Sequence, residues 1–254
     1  MNTAFAALIG LLATFSVMAG TINYEGSSTV GKFISDADKV YVGSSFKVND
    51  DSESLGGEQC ATWDTCELGG VARMVDPSAL DQGVYAVMIG KDAIAAVVNI
   101  RNPVTQLSKT QLRDVFSGKI KNWKELGGDD LMIKPYIVKP ASATRHVFQK
   151  KVMGGAEYSG TAVVSPDRKI VARVIHERGA IGQISLAFLK SVKRIAIIVV
   201  DGEKPALDNP NYPVTRELNL VTHGEPTGEI RKFIEWTLSP EGQDVVRQRF
   251  VGVK

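Results

Sequence analysis

Two short hydroxyl-rich stretches, Gly26-Ser27-Ser28-Thr29 and Ala141-Ser142-Ala143-Thr144-Arg145, carry the residues best suited to chemistry in this chain of 254 residues. Each follows an extended run and opens a helical one. A loop that leaves a strand to start a helix presents backbone N–H groups without partners at the positive end of the helix dipole, so it can hold an anion without formal positive charge. Ser28, Thr29, Ser142 and Thr144 add hydroxyl donors at that point. Taken singly, either loop reads as ordinary helix capping. Taken together, one per lobe, they would grip a tetrahedral anion from both sides and couple its capture to closure. His146, His176 and His223 are scattered and fit no triad or metal signature, so neither catalysis, a metal nor a cofactor is expected.

The elements that must position these loops alternate between strand and helix. Thr21 to Glu25 reads as a strand, followed by a helix with Val30, Phe33, Ile34, Ala37 and Val40 on its apolar positions. Phe46 to Asn49 and Val84 to Ile89 read as further strands. Ala93 to Asn99 is apolar on both faces, as a buried central strand would be. A helix is expected from Leu107, capped by Ser108 and ended by Gly118. Ile133 to Val138 reads as the strand leading into the second hydroxyl loop. Pro166 to Arg178 and Ser185 to Lys190 look helical, Ala180 to Ile184 and Ile195 to Asp201 extended. The tail from Gly228 to Phe250 looks helical with a break at Pro240. This alternation predicts an α/β architecture with buried, largely parallel sheets. The two apolar strands near 93–99 and 195–201 are expected to cross between the lobes. That gives 20–98 and 200–254 as one lobe and 99–199 as the other.

Composition narrows the partner. With 30 Lys plus Arg against 28 Asp plus Glu, a formal charge of +2 and no basic run, the chain lacks the footprint of a nucleic-acid binder. A small anion needs only a local pocket of donors. Residues 4–19 form the one long apolar stretch, with small or branched residues at Val17 and Ala19. Residues 1–19 therefore read as a signal peptide cleaved before Gly20, which places the mature protein in the periplasm, without a following Cys for lipid attachment. The only cysteines, Cys60 and Cys66, lie in a Gly-rich stretch read as a loop. An even count in an exported chain reads as one short disulfide. The alternative, half of a metal site, has no nearby His or second Cys pair.

Gly26-Ser27-Ser28-Thr29-Val30, Asn102-Pro103-Val104, the run from Leu112 to Trp123, Ser142-Ala143-Thr144-Arg145, Ala180-Ile181-Gly182 and the late segments Gly224 to Gly228 and Leu238 to Gly242 resemble, in order, the phosphate-binding proteins of ABC transporters. That resemblance implies a periplasmic-binding-protein-like type II fold, two α/β lobes joined by hinge strands around a ligand cleft. It also implies capture of phosphate or a related tetrahedral oxyanion and its delivery to the membrane subunits of an ABC transporter, by a monomer.

Carried over by position, the resemblance assigns a hydroxyl from Ser28, a backbone N–H from Thr29 and an anion loop of Ser142, Ala143 and Thr144. Ser54, with Ser52 as fallback, stands for the hydroxyl of an intervening loop, and Arg73 for a charged contact. Arg145 reads either as a ligand contact or as an ion pair on its own helix. The family's Arg just before the anion loop is absent, leaving Lys139 as a partial substitute. A carboxylate that accepts the hydrogen of monohydrogen phosphate would exclude sulfate, and Asp51, Glu53 and Glu58 are the candidates. Two rivals remain: a related module that senses or scaffolds without transport, and a secreted phosphatase, which would need a base, nucleophile or metal that the sequence does not assemble.

Overall fold

The computed structural model describes residues 20–253, so the expected signal segment 1–19 lies outside the described residues. The chain runs through β1 (Gly20–Gly26), α1 (Ser28–Ala37), β2 (Ser44–Asn49), α2 (Glu53–Thr62), β3 (Leu68–Val71), α3 (Pro77–Asp81) and the long β4 (Val84–Asn99). It continues through β5 (Gln106–Leu107), α4 (Lys109–Phe116), β6 (Lys134–Val138), α5 (Ala143–Lys151), β7 (Ala162–Val164), α6 (Lys169–His176), β8 (Ala180–Ser185), β9 (Ile195–Ile197) and β10 (Val199–Val200). The return is made by β11 (Thr215–His223), α7 (Gly228–Leu238), α8 (Pro240–Arg247) and β12 (Val251–Gly252).

Strands pair in the order β2-β1-β3-β11-β4-β8-β6-β7. β1 is parallel to β2 and β3, and β6 is parallel to β7 and β8, each set forming one lobe. Between them β4 and β11 run antiparallel to each other and join the lobes. β4 changes partner along its length: residues up to Ala93 pair with β11, and Ile94 to Val98 pair with β8. The chain comes back just before β11, where Ile94 N–H donates to Val214 O at 2.8 Å. Val214 packs with Leu112, Phe116, Trp123 and Phe148 in the second lobe. Leu218 packs with Phe33, Ile34 and Phe233 in the first.

This exchange differs from the expected crossings. Val84 to Ile89 and Ala93 to Asn99 are parts of one strand, and the change of partner falls ahead of residue 98. The apolar run 195–201 does not cross. It breaks into β9 against β4 and β10 against β5, so it stays with the second lobe. The returning strand, Thr-Arg-Glu-Leu-Asn at its start, is polar because it feeds the cleft, and a search for uninterrupted apolar residues passes over it.

Helix starts follow their caps. Ser27 caps α1, Ser142 caps α5, and Ser108 with Gln111 closes a capping box on α4. The stretch expected as a Gly-rich loop before Cys60 is the helix α2. Its glycines serve packing: a Cβ on Gly57 would stand 2.4 Å from Gly70 O and 3.0 Å from Gly26 Cα. Only a bare backbone lets α2 lie this close to β1 and β3. Ser185 to Lys190 contains just a single 3-10 turn, Leu186–Phe188.

Candidate functional site

The first loop is built by Ser27. Its Oγ accepts from Thr29 N at 3.2 Å and Val30 N at 3.3 Å, which fixes the opening turn of α1. Gly26 has φ +134 and a Cβ there would meet Gly70 O at 2.4 Å, so β1 can end against β3 only with glycine. Ser28 and Thr29 are then both buried at the cleft. Ser28 Oγ donates to Glu53 Oε2 at 3.4 Å. The Thr29 N–H, expected as a ligand donor, is held by the cap, and its Oγ1 is the group presented to the other lobe.

The second loop repeats the design. Ser142 Oγ accepts from Thr144 N at 3.3 Å and donates to Asp167 Oδ1 at 3.2 Å. Thr144 Oγ1 donates to Asp167 Oδ2 at 2.6 Å. Ala143 is buried in the first turn of α5, where only its backbone can serve an anion.

Arg216, at the start of β11, joins the two loops. Its Nη2 donates to Thr29 Oγ1 at 2.8 Å and its Nη1 to Thr144 Oγ1 at 3.1 Å. Nε and Nη2 both lie 2.9 Å from Asp92 Oδ2, the carboxylate directly opposite on β4. Ser185 Oγ from β8 also donates to Asp92, at 2.9 Å. Burial pushes the Asp92 carboxyl up, against the pull of Arg216 and the Ser185 hydroxyl. A guanidinium anchored in this way is fixed at the hinge, with its remaining N–H groups turned to hydroxyls from both lobes.

Two carboxyl groups complete the cluster. Glu53, at the first residue of α2 with φ 61, is 2% exposed. This strained left-handed geometry at a non-glycine residue is typical of functional sites. Burial and then Asp167 push the Glu53 carboxyl up to about 8, against Lys139, Ser28 and Arg216. Asp167 is 1% exposed and is also raised by burial, with Thr144, Arg216, Ser142 and Glu53 opposing.

The lobes meet across this cluster. Leu55 N–H donates to Ala141 O at 3.3 Å, and Arg168 pairs with Asp50 at 3.2 Å. Lys139 Nζ bonds Asp51 O, so Lys139 bridges the lobes, and its charge also acts on Glu53. On the outer side of Arg216 a cavity of about 400 Å³ opens between the loop Arg73–Pro77 and α5, lined also by His146, Lys150 and Lys151.

Other expected residues lie outside the cluster or are already engaged. Ser54 is buried and its Oγ accepts from Ala72 N at 3.0 Å. Arg73 forms a forked pair with Glu58 at 2.8 and 2.5 Å, which also occupies Glu58, and it lines the outer cavity. Arg145 lies over the Tyr158 ring at 5.1 Å and donates to Val138 O at 3.4 Å, so its charge serves its own lobe. Cys60 and Cys66 form the expected disulfide. Among the described residues no His, Cys, Asp and Glu cluster could hold a metal ion.

Arg216, Asp92 and Asp167 were not singled out by sequence. Arg216 sits in a strand with no motif around it, and Asp167 follows a proline in a stretch read only as helical. A count of cations and anions in buried strands would have flagged the Asp92–Arg216 pair, since unpaired charges are rarely buried.

The PBP superfamily domain model matches residues 18–241. Over 173 residues, 66% of the chain, the sequence is 34% identical to the phosphate-binding protein PstS of Bacillus subtilis strain 168. The chain spans little more than half of that relative, 56% of its length. The PstS of Borreliella burgdorferi is 24% identical over 200 residues, 72% of this chain and 71% of the relative. A phosphate ABC transporter substrate-binding protein from Clostridium perfringens, solved with bound phosphate, superposes with a TM-score of 0.85 at 29% identity, covering 92% of this chain and 100% of that one. An ABC-type phosphate transport receptor from Vibrio cholerae shares the fold, with a TM-score of 0.74 at 23% identity over 92% of this chain and 100% of the other.

Proposed function

The chain belongs to the PBP superfamily, and from that premise we propose that it is an exported, non-enzymatic receptor that closes two lobes around phosphate and hands it to the membrane subunits of an ABC transporter. The observation that carries this reading is Arg216, a hinge guanidinium that donates to a hydroxyl from each lobe at once, 2.8 and 3.1 Å away. An anion between the loops would take these N–H groups, the Ser28, Ser142 and Thr144 hydroxyls and the backbone of Ala143 at the start of α5. Closure then follows from contacts that exist only when both lobes reach the same ligand. The hinge lies where β4 exchanges β11 for β8 and where the chain returns ahead of Arg216, which divides the lobes near residues 93 and 214. The outer cavity between Arg73 and α5 is the route by which the anion reaches Arg216, and the periplasm is the compartment in which the receptor works.

Phosphate carriage is favoured over a ligand-free scaffold because Arg216, already paired with Asp92, still turns N–H groups to a hydroxyl from each lobe, a donor set that suits an oxyanion. The test is thermal denaturation of the purified protein with phosphate, sulfate, molybdate or arsenate. Phosphate at a hundred times its Kd adds about 2.7 kcal/mol of stability. A melting curve unmoved by every oxyanion would overturn the reading.

A further inference from the structure

Apart from the anion loops, the two lobes meet at the 3-10 turn Leu186–Phe188, where β8 ends. The side chains of this turn divide between the lobes. Leu186 and Phe188 pack on the second-lobe core with Val97, Tyr136 and Ile184. The buried Ala187 packs instead among Val30, Phe33 and Ile34 of α1 in the first lobe. The turn also sits where the lobes must rotate, because Ser185 just before it pairs with Ile94, the point at which β4 exchanges β11 for β8. Ser185 Oγ accepts from Ala187 N at 3.1 Å and donates to Asp92 Oδ1 at 2.9 Å. The turn is thereby tied to the carboxylate that anchors Arg216.

Two cations of the first lobe hold the turn in place. Arg249, beyond the end of α8, donates through Nη1 to Ala187 O at 3.1 Å. Its Nε and Nη2 both donate to Asp36 near the end of α1, Nη2 at 3.3 Å. Lys32, four residues before Asp36 and on the same face of α1, lies over the Phe188 ring at 5.6 Å. The helix that presents Ser28 and Thr29 at its start thus seats the second lobe at its end. These contacts differ from those beside the anion site, where Leu55 meets Ala141, Lys139 meets Asp51 and Arg168 meets Asp50. The latter part when the lobes swing open, whereas a contact at the axis of a rotation moves least and can persist through it.

Resting on the phosphate reading above, we propose that the turn Leu186–Phe188 is the fulcrum of lobe closure and that Arg249 is a positioning residue for anion capture, acting without touching the ligand. Arg249 keeps the turn on α1 in both the open and the closed protein, so opening is confined to one rotation. Each closure then returns Thr29 and Thr144 to the same guanidinium, that of Arg216. Without this seat the open lobes gain relative orientations that closure must give up, and the closed state loses population. The task suits a planar fork, with one edge on Asp36 and a further N–H on a carbonyl of the other lobe.

Removing Arg249 does not strand Asp36, which keeps Lys39 at 2.9 Å. Arg249→Met should therefore fold, as circular dichroism checks, and titration well below its Tm should show a phosphate Kd weakened about tenfold. Small-angle scattering should give the empty variant a larger radius of gyration than the empty parent. With saturating phosphate the two radii should coincide. Lys32→Met leaves the Arg249–Asp36 pair intact and should move both readings the same way by less, about threefold in Kd.

A merely structural tie between α1 and the end of the chain would lower the Tm of Arg249→Met and leave its Kd and its empty radius as they are in the parent. Either an unchanged Kd or an unchanged empty radius in Arg249→Met overturns the fulcrum. Should that variant not fold, Lys32→Met decides alone, an unchanged Kd again overturning it. All of these outcomes leave phosphate binding by the parent intact. A parent protein that binds no phosphate would instead remove the carrier reading and the fulcrum with it.

Discussion

Arg216 is held by a carboxylate it cannot leave cheaply. Asp92 is buried with it at the crossing of β4 and β11, and removing one member of such a pair strands the other at a cost of about 3–5 kcal/mol. A charge-preserving change separates binding from folding: Arg216→Lys keeps the cation but loses the planar fork that serves Asp92, Thr29 and Thr144 together. The expected result is a phosphate Kd weakened at least about tenfold with the fold retained, read by titration and by circular dichroism. Glu53 supplies a second expectation with a definite sign. Its folded carboxyl lies at about 8 against 4.5 in the unfolded chain, so the empty folded state binds more protons through that window. Its stability falls as pH rises from about 4.5 to 8, and Glu53→Gln should raise the Tm of the empty protein near pH 9 by roughly 2–8 °C, for a gain on the order of 1–2 kcal/mol.

At the scale of elements, the two helix starts were readable because capping leaves a local signature: Ser27 before α1 and Ser142 before α5 stand next to their own helices. The hydroxyls of Ser28, Thr29, Ser142 and Thr144 follow from those caps. Arg216 and Asp167 carry no such signature, since their partners lie far along the chain and meet them only through the sheet order. α2 misled for a related reason. Gly56-Gly57 reads as loop by propensity, whereas Gly57 is selected by the approach of the helix to Gly26 and Gly70. Gly57→Ala should therefore destabilise the protein by about 1–3 kcal/mol in denaturant titration, although alanine is the better helix former. The Cys60–Cys66 bond spans the end of α2 and the turn beyond it. Replacing both by serine should cost about 2 kcal/mol in stability and leave the phosphate Kd unchanged, because neither sulfur reaches the cluster.

For the whole molecule, the strand alternation in the sequence carried the α/β class, but the place where the lobes divide depended on register. β4 changes partner at Ala93 and Ile94 within one unbroken strand, which no composition shift marks. Outside the site the lobes touch through Leu55 N to Ala141 O, Lys139 to Asp51 O and the Arg168–Asp50 pair, and also through Arg249 to Ala187 O and Lys32 over the Phe188 ring. The Arg168–Asp50 pair is half exposed on its arginine side, so its contribution is about 0.2–1 kcal/mol. A bound anion would add contacts from both lobes to these. Small-angle scattering should show a larger radius of gyration in the empty protein than with phosphate, and Arg168→Ala should weaken the phosphate Kd no more than about fivefold. The most direct measurement is a crystal structure of the protein grown with phosphate. It should place the phosphorus between the start of α1 and the start of α5, with the Arg216 guanidinium, Thr29 and Thr144 around it and an oxygen within hydrogen-bond distance of each of Glu53 and Asp167. Phosphate bound only in the outer cavity beside Arg73 and Lys150, with Arg216 still spanning the two threonines, would contradict the account.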